Sequence, residues 1–400
     1  MSMRRIVVVG NGIAGLTACD ALRTAGFDGE LTVVGAERHQ PYSRPALSKA
    51  LLHGDEDLQA HELPQPTHEA TEMLGVSAIG LDADARLVRL EGGGELPYDG
   101  LVIASGSRAK RLGFARAGSA RAGSGPHARE LTLRTIEDAV LLKERVASQP
   151  SVIIIGGGPL GMEVASGCLH AGCEVTLVSN AMPLSPQLGG HLAGIFTSAA
   201  IQRGLRVVEG GTARIADSAG SPRVVLADGT TLTADLVVTA IGDEPNTGWL
   251  AGSGLLAGSS VRVDSRGRLR PDIVAAGDVA FFPTTRGVQR IPLWTSAIDQ
   301  AKAAAVGLLQ GDAAPEFSFQ PYFWTEGFGL SLKAVGFTPV AGSPDFCEPG
   351  DGADSMLLRW DNGDGSGTAA AINYRIPIPK LRRLANTGPE TLRRTVPAGV

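Results

Sequence analysis

The stretch Ile6-Val7-Val8-Val9-Gly10-Asn11-Gly12-Ile13-Ala14-Gly15 decides the fold at the start of this 400-residue chain. Its apolar β-branched run predicts a buried strand, and the glycines after it predict a tight turn into a helix. In such a turn the first glycine makes the bend, the second lets backbone approach a pyrophosphate, and the third packs the helix on the strand. We therefore expect Gly10, Gly12 and Gly15 to line a dinucleotide.

A second stretch of the same kind, Val152-Ile153-Ile154-Ile155-Gly156-Gly157-Gly158-Pro159-Leu160-Gly161, follows later in the chain. One match to this pattern is weak evidence, because short glycine-rich turns are common. Two matches indicate two dinucleotides in one chain, hence a flavin and a nicotinamide that work together. The nicotinamide coenzyme is predicted to contact Gly156, Gly158 and Gly161.

Further residues of the two sites are predicted at strand ends. Glu37 stands just past the second strand of the first unit, about 20 residues after the glycines, where a carboxylate accepts hydrogen bonds from a ribose diol. Ala104-Ser105-Gly106 and Ala240-Ile241-Gly242 end strands at matching places in the two halves. Small residues there let backbone lie close to a ligand, so Ala104, Gly106 and Gly242 join the predicted sites.

Composition limits the class of protein. The chain is long enough for two or three domains, and its hydrophobic content of 43% is typical of globular proteins. A net charge of −5 argues against a general nucleic-acid binder. No apolar run approaches the about 18 residues of a membrane helix. The start Met1-Ser2-Met3-Arg4-Arg5-Ile6 has no signal-peptide features, so a cytoplasmic location is expected, with no membrane partner.

The four cysteines, Cys19, Cys168, Cys173 and Cys347, are too few for a disulfide scaffold. Cys168 and Cys173 have the spacing of a redox disulfide in some flavoenzymes, but both are expected on the helix after the second glycine stretch. Residues five apart on a helix point about 140° apart, which does not suit a disulfide. We interpret both as small buried apolar residues, and no metal site is expected.

The order of elements predicts an α/β protein with two Rossmann-like dinucleotide-binding domains and a C-terminal, mostly antiparallel α+β domain. Arg223–Leu226 and Leu330–Val335 are among the predicted strands. Helices are expected to start near Ser48, to open at Thr135 and Asp138 with a capping box, and to span Ser296–Leu309. The predicted boundaries are 1–110 and 243–315 for the FAD domain, 111–242 for the NAD(P) domain, and 316–400 for the C-terminal domain.

Several motifs, in this order, resemble the FAD-dependent ferredoxin reductases of oxygenase systems, over nearly the whole chain. These proteins belong to the pyridine nucleotide-disulfide oxidoreductase superfamily but lack its redox disulfide. The most specific motif, Pro41-Tyr42-Ser43-Arg44-Pro45-Ala46-Leu47-Ser48-Lys49, occupies the place of the redox cysteines in disulfide reductases. The other matching motifs are Arg134–Ala139, Pro245-Asn246, Ala276–Val279 and Tyr322–Trp324.

The resemblance implies an activity. NADH or NADPH reduces FAD, which passes single electrons to a [2Fe–2S] ferredoxin that serves an oxygenase; a reduced flavin holds two electrons but can release them singly. By position, the resemblance implies that FAD contacts Gly10, Gly12, Ala14, Gly15, Glu37, Arg44, Lys49, Ala78, Arg134, Gly277, Asp278 and Trp294. It also gives Lys49, Glu163 and Trp294 a part in the reaction. The resemblance implies that Lys49 lies near flavin N5 and pairs with Glu163, that Trp294 lies against the ring, and that Asp278 bonds the ribityl chain.

Two positions depart from the family pattern. Ser179 stands where NADH users carry Glu or Asp, and no Arg precedes Arg203 to hold the 2′-phosphate of NADPH. Ser179 and Asn180 can still hydrogen-bond a hydroxyl or phosphate, so relaxed coenzyme choice is expected. Pro292 stands where the family often has Glu, at the flavin edge on which the iron–sulfur partner docks.

Alternatives stay open at this point. Ferredoxins of this kind are acidic, so a basic face is expected. Its candidate residues are Arg108, Lys110, Arg111, Arg116, Arg375, Lys380, Arg382 and Arg383. A second hypothesis is a flavoenzyme of the same fold that acts directly on a small molecule or on oxygen, with weakened nicotinamide use. A third is a binding or scaffold flavoprotein that slowly forms a charge-transfer complex and signals through its shape. The terminal oxygenase, the coenzyme preference, and the choice between monomer and homodimer also stay open.

Overall fold

The computed structural model describes residues 3–49, 61–64, 66–112, 114–115, 122–123, 130–216 and 222–387. Contacts divide the chain into two compact units. The first unit is Met1–Ser43, Gln59–Arg108 and Glu244–Pro321, and the second is Arg44–Leu58, Ala109–Asp243 and Tyr322–Val400. The predicted three-domain division stays a prediction. The second unit includes residues 44–49 and the C-terminal segment from Tyr322.

The first unit is built on a six-stranded sheet that is parallel except for one edge strand. Across the sheet its strands are Arg268–Arg270, Ile273–Ala275, Gly100–Ile103, Arg5–Val9, Glu30–Gly35 and Thr71–Leu74. Val9 pairs with Val34 on one side and with Ile103 on the other, so three strands end together beside the first glycine turn.

The two faces of this sheet carry separate cores. Ile6 and Val8 point to one face, where the helices Ile13–Thr24 and Trp294–Gln310 cover them. Val7 and Val9 point to the other face, as the two-residue period of a strand requires. The second helix begins at Trp294, two residues earlier than predicted.

Short elements complete the first unit. Two three-stranded sheets consist of Ala78–Asp82, Leu87–Leu90 and Glu95–Pro97, and of Val261–Arg262, Ala280–Thr284 and Gly287–Gln289. Gly248–Leu250 and Gly311–Ala313 form 3₁₀ turns. The short strands Ser107–Ala109 and Asp243–Pro245 lie where the chain passes from one unit to the other.

The second unit contains a parallel sheet of five strands that repeats the plan of the first. Across this sheet the strands are Glu130–Leu131, Leu236–Thr239, Ser151–Ile155, Glu174–Ser179 and Arg206–Glu209. Its helices are Ile136–Val146, Pro159–His170, Ser185–Leu188 and Gly190–Gln202. The capping box predicted at Thr135 and Asp138 is confirmed, since each side chain accepts a hydrogen bond from the other residue's backbone N–H.

The same unit contains another sheet of five strands, most of them shorter. Its strands are Ala122–Gly123, Phe114–Ala115, Ala213–Ala216, Arg223–Leu226 and Thr231–Thr233. The strand Arg223–Leu226 has the predicted bounds.

The C-terminal part of the second unit is an antiparallel sheet, as predicted, and it has five strands. Across the sheet the strands are Tyr322–Gly327, Leu330–Val335, Gly367–Ile372, Met356–Asp361 and Phe346–Pro349. The final helix Ile378–Asn386 buries Leu381 and Ala385 against it. Among the described residues, no helix has the length and apolar character needed to cross a membrane.

One local prediction was wrong. Cys173 does not lie on a helix, because Gly172 takes a positive φ of 88° and ends the helix Pro159–His170 before it. Around Ser48 the described chain forms a 3₁₀ turn, Arg44–Ser48. Pro45 in this turn has no backbone N–H to donate. The continuation of the predicted helix past Lys49 lies outside the described residues.

Candidate functional site

The first glycine turn is closed on its protein side and open on the other. Gly10 has a φ of 114°, and a Cβ there would lie 2.1 Å from the carbonyl oxygen of Ala104. A Cβ on Gly15 would lie 1.8 Å from the carbonyl oxygen of Gly10. Gly12 caps the helix Ile13–Thr24, and a Cβ there would meet no described atom within 4 Å. Backbone N–H groups at a helix start beside free space fit a pyrophosphate.

The strand end next to this turn is held by Asn246. Its amide donates to the carbonyl oxygen of Ser105 at 2.9 Å, and its backbone N–H donates to the carbonyl oxygen of Gly106 at 2.9 Å. The Ser105 hydroxyl donates back to the carbonyl oxygen of Asn246 at 2.9 Å. The Pro245-Asn246 motif therefore fixes the backbone of Ala104-Ser105-Gly106 beside the glycine turn.

Gly277 and Asp278 lie at the end of the neighbouring strand. Gly277 has a φ of 80°, and a Cβ there would come within 2.9 Å of the Cβ of Ala14. Its N–H donates to Oε1 of the buried Gln300 at 2.9 Å, a contact that sequence reasoning missed. The Ser107 hydroxyl donates to Oδ2 of Asp278 at 3.3 Å. Trp294, half-buried, is the first residue of its helix.

The predicted ribose acid is also held in place. The Tyr42 hydroxyl donates to Oε2 of Glu37 at 2.5 Å, and Tyr42 is buried. In the glycine turn, Oδ1 of Asn11 is buried without a described hydrogen-bond donor. A ribose hydroxyl is a donor that would satisfy it, which fits an adenosine dinucleotide here. Ala78 begins a strand and packs against the core of the unit.

The second glycine turn repeats the first closely. Gly156 has a φ of 120°, and a Cβ there would lie 2.2 Å from the carbonyl oxygen of Ala240. A Cβ on Gly161 would lie 1.9 Å from the carbonyl oxygen of Gly156. Gly158 caps the helix Pro159–His170, and the nearest described atom to a Cβ there lies 3.9 Å away. The same backbone geometry therefore occurs once in each unit.

The residue expected to choose the coenzyme is Ser179. It is buried, and its Oγ lies 2.5 Å from the position that a Cβ on Gly157 would take. Val178 pairs with Ile155 as Val34 pairs with Val9, so Ser179 corresponds to Gly35 and Ala181 to Glu37. Neither Ser179 nor Ala181 is an acid. Gly242, with a φ of 101°, follows the adjacent strand.

The second unit holds a buried carboxylate that accepts from three donors. Lys49 Nζ lies 2.9 Å from Oε1 of Glu163, so the expected pairing of these side chains is present. The Thr325 hydroxyl donates to the same oxygen at 2.6 Å, and the Ser48 hydroxyl donates to Oε2 at 2.5 Å. Glu163, Ser48 and Thr325 are each at most 5% exposed. A buried charge needs such partners, because it has lost its water.

Sequence reasoning missed the roles of Thr325 and Trp324. Lys49 Nζ lies 5.9 Å from the centroid of the Trp324 ring, within the range of a cation–π contact. The Trp324 ring stacks on Tyr322, with centroids 5.8 Å apart. In the sequence the Tyr322-Phe323-Trp324 motif indicates only a resemblance, although the two-residue period of a strand places Trp324 and Thr325 on opposite faces.

The residues predicted to contact FAD are divided between the units. The first unit holds the glycine turn, Glu37, Ala78, Gly277, Asp278 and Trp294, whereas Arg44, Lys49 and Arg134 belong to the second. Within the second unit, the Arg44 guanidinium donates to the carbonyl oxygen of Arg134 at 2.8 Å. The backbone N–H of Arg134 donates to Asp138 at 2.8 Å, which ties both arginines to the start of the helix Ile136–Val146.

All four cysteines are free thiols. Burial raises the pKa of Cys19 and of Cys168 to about 12 and also raises the pKa of Cys173. A thiol must lose its proton to act as a nucleophile, so these three thiols are held in their unreactive form. In the part of the chain that the structure describes, no three His, Cys, Asp or Glu side chains are grouped to hold a metal ion.

Some residues of the predicted basic face have hydrogen-bond or ion-pair partners within the chain, and others are exposed. Arg108 pairs with Glu244 at 2.8 Å, and Arg111 donates to Glu130 and Thr132. The four basic residues near the C-terminus, Arg375, Lys380, Arg382 and Arg383, are exposed, as is Lys110. Arg116 lies outside the described residues. The use of this face for docking stays a prediction.

Comparison with known proteins agrees with this geometry. The profile of the family described as Pyridine nucleotide-disulphide oxidoreductase matches residues 4–301. The biphenyl dioxygenase system ferredoxin–NAD(+) reductase component of Paraburkholderia xenovorans is 32% identical over 393 residues, which cover 96% of this chain and 93% of that protein. Rhodocoxin reductase of Rhodococcus erythropolis is 34% identical, with 84% of this chain and 79% of that protein covered.

A solved structure agrees over the same length. The putidaredoxin reductase in its covalent complex with putidaredoxin superposes with a TM-score of 0.82 at 26% identity, and the match covers 96% of this chain and 93% of that one. The predicted fold class and the resemblance to ferredoxin reductases are therefore confirmed. The chain belongs to the pyridine nucleotide-disulphide oxidoreductase family and, within it, to the ferredoxin–NAD(+) reductases of oxygenase systems.

Proposed function

We propose that this chain is the reductase component of an oxygenase system, which takes electrons from NADH or NADPH and delivers them through FAD to a [2Fe–2S] ferredoxin. The observation that carries the proposal is the repeated glycine turn. Gly10 lies against Ala104 as Gly156 lies against Ala240, and each turn leads into a helix. A Cβ on Gly12 would meet no described atom within 4 Å, and the nearest described atom to a Cβ on Gly158 lies 3.9 Å away. Two dinucleotides bound in one chain are what transfer from a nicotinamide to a flavin requires.

The first unit supplies the residues proposed to hold FAD. The open space at Gly12 takes the pyrophosphate, and Glu37, oriented by Tyr42, accepts from the adenosine ribose. Asp278 offers its carboxylate to the ribityl hydroxyls, and Gln300 fixes the glycine before it. When bound, FAD supplies the chemistry of accepting a hydride and releasing electrons one at a time.

The second unit supplies the coenzyme turn and a positive charge. Gly158 and the helix start behind it receive the pyrophosphate of NADH or NADPH. We propose that Lys49 places its ammonium near the bound flavin, where it stabilises negative charge on the reduced form. Glu163 keeps that ammonium in one position, because Ser48 and Thr325 fix both oxygens of its carboxylate. The side chains named here hold and orient the two cofactors, and the proposed reaction requires no nucleophilic side chain.

The ferredoxin is the proposed electron acceptor. The relative from Paraburkholderia xenovorans is named as a ferredoxin–NAD(+) reductase component, and one solved relative is a covalent complex of putidaredoxin reductase with putidaredoxin. An acidic ferredoxin would be attracted by the exposed basic residues near the C-terminus, and this attraction weakens as salt screens it. A cytoplasmic location stays a prediction.

Stopped-flow absorbance tests the proposal directly. Purified protein should carry one FAD per chain, its flavin band should bleach on mixing with NADH or NADPH, and added [2Fe–2S] ferredoxin should then be reduced catalytically. Ferredoxin reduction should slow as ionic strength rises, while flavin bleaching should change little. A flavin that bleaches but reduces only oxygen or a small quinone, and no ferredoxin, would favour the second hypothesis, a flavoenzyme that acts directly on a small molecule or on oxygen. The serine at position 179, in place of an acid, is the observation that supports this hypothesis. Protein that does not bind FAD would refute both.

A further inference from the structure

We propose that Thr325 is a positioning residue for electron transfer, which acts by fixing the Glu163 carboxylate that holds Lys49. The proposal rests on the proposed function, since it concerns the lysine that is to act on the flavin. The Thr325 side chain contacts Glu163, to whose Oε1 its hydroxyl donates a hydrogen bond.

Both oxygens of the Glu163 carboxylate are held by hydrogen-bond donors. Oε1 of Glu163 accepts from Thr325 Oγ1 at 2.6 Å and from Lys49 Nζ at 2.9 Å, and Oε2 accepts from Ser48 Oγ at 2.5 Å. Two fixed hydroxyls, one on each oxygen, define the plane of the carboxylate. Without Thr325 only Ser48 and Lys49 would hold the carboxylate. It would then turn more easily about its terminal torsion, which is intrinsically broad for glutamate, and the ammonium would follow it.

The strand that carries Thr325 is itself fixed against the helix of Glu163. Gly327, two residues later on the same strand, lies against the helix of Glu163, because a Cβ there would come within 3.4 Å of Cβ of Ser166. The Phe328 N–H donates to the Ser166 hydroxyl at 2.9 Å. The strand Tyr322–Gly327 is thus anchored one turn beyond Glu163, and its position is set independently of Lys49.

The strand Tyr322–Gly327 also contacts Lys49 from another side. Trp324 precedes Thr325, and its ring faces Lys49 Nζ at 5.9 Å while it stacks on Tyr322. The C-terminal sheet therefore contributes a hydrogen bond to the carboxylate and an aromatic face to the ammonium. This gives the sheet a role in the reaction beyond its part in folding.

The test compares Thr325→Val with Thr325→Ser. Valine has nearly the shape of threonine but no hydroxyl, so the limiting rate of flavin reduction should fall about tenfold, as expected for one hydrogen bond to a charged group. Serine restores the hydroxyl and should restore most of the rate. The flavin midpoint potential, measured without coenzyme, should become more negative with valine and return with serine, since Lys49 no longer holds its charge in place.

Thr368→Val is the matched control. Thr368 is a fully buried threonine of the same sheet, and its hydroxyl donates to the Phe337 carbonyl oxygen at 2.7 Å. Its loss should cost stability similarly but leave the flavin potential unchanged. If Thr325→Val does not fold, Ser48→Ala removes the donor on the other oxygen and should lower the potential in the same direction.

A double-mutant cycle decides whether Thr325 acts through Lys49. In a Lys49→Met background, Thr325→Val should leave the flavin midpoint potential unchanged and should change the rate of flavin reduction by less than twofold. Additive effects, or a Thr325→Val potential equal to that of the wild type, would overturn the positioning role. Failure of the proposed function looks different, because the wild type itself would then bind no FAD or show no bleaching with NADH or NADPH.

Discussion

A Cβ on Gly156 would lie 2.2 Å from the carbonyl oxygen of Ala240, and the pair Gly10 and Ala104 shows the same relationship at 2.1 Å. No side chain can occupy either position unless the strand ends move apart. Because each pair belongs to a different unit, the two dinucleotide sites can be damaged one at a time.

Gly156→Ala should therefore weaken binding of NADH and NADPH at least tenfold while FAD content stays at one per chain. Gly10→Ala should have the opposite pattern, with loss of FAD. Flavin absorbance and a coenzyme titration measure the two quantities. Gly229→Ala is the control, since Gly229 also has a positive φ, 87°, but no described atom lies within 4 Å of the added Cβ. Loss of FAD in Gly156→Ala would contradict the assignment of the two turns.

Glu37→Ala should weaken FAD binding by about ten- to hundredfold. The ribose diol loses a charged acceptor, and such a bond is worth roughly 1.5–3 kcal/mol. Tyr42→Phe should weaken FAD binding less, because it removes one hydrogen bond, of 2.5 Å, to a carboxylate that stays in place. Equilibrium dialysis of the apoprotein with FAD gives both constants. A larger effect from Tyr42→Phe than from Glu37→Ala would mean that Glu37 serves mainly the fold.

Thiol chemistry should be dispensable. In the double variant Cys168→Ala, Cys173→Ala, flavin reduction should stay within about threefold of the wild type, since both thiols are buried and their pKa values are raised. In native protein at pH 8, a thiol reagent should modify the exposed Cys347 and spare the other three. Loss of turnover in a folded double variant would reveal a redox disulfide.

Stability should fall in alkaline solution. The pKa of Cys19 rises from 9.0 to about 12 because burial removes the thiolate from water. Below pH 9 both the folded and the unfolded chain keep this proton, and the stabilisation is fully present. Between pH 9 and 12 only the unfolded chain loses the proton, so the free energy of unfolding decreases. Denaturant midpoints at pH 8 and pH 10.5 should therefore differ, and the difference should be smaller in Cys19→Ala than in Cys347→Ala. An equal difference in the two variants would exclude the thiol as the cause.

How much the sequence predicts depends on whether a pattern is local. The glycine turns, the capping box at Thr135 and the strands Arg223–Leu226 and Leu330–Val335 were predicted correctly, because each follows from neighbouring residues. The helix end before Cys173 was missed although it is local, since the left-handed Gly172 looks like any other glycine in the sequence.

The candidate site shows the opposite case. Lys49 and Glu163 were paired only through the family resemblance, since no periodicity links residues so far apart in the chain. Thr325 was not predicted, because a single threonine in a strand is ordinary and only the packing of that strand on the helix of Glu163 reveals its contact. Gln300, which binds the N–H of Gly277, was missed for the same reason.

The coenzyme preference is the last prediction. Ser179 lies against Gly157, and neither it nor Ala181 offers a carboxylate to grip the ribose of NADH or repel the 2′-phosphate of NADPH. We therefore expect high KM values for both and a discrimination of less than about tenfold, or roughly 1.4 kcal/mol. Ser179→Glu should raise the preference for NADH, mainly because NADPH is repelled, whereas Ser179→Gln, of equal size but neutral, should not. Stopped-flow flavin reduction with both coenzymes measures this. A wild type that already prefers one coenzyme a hundredfold would show that other residues make the choice, and an equal response to Glu and Gln would attribute the effect to size.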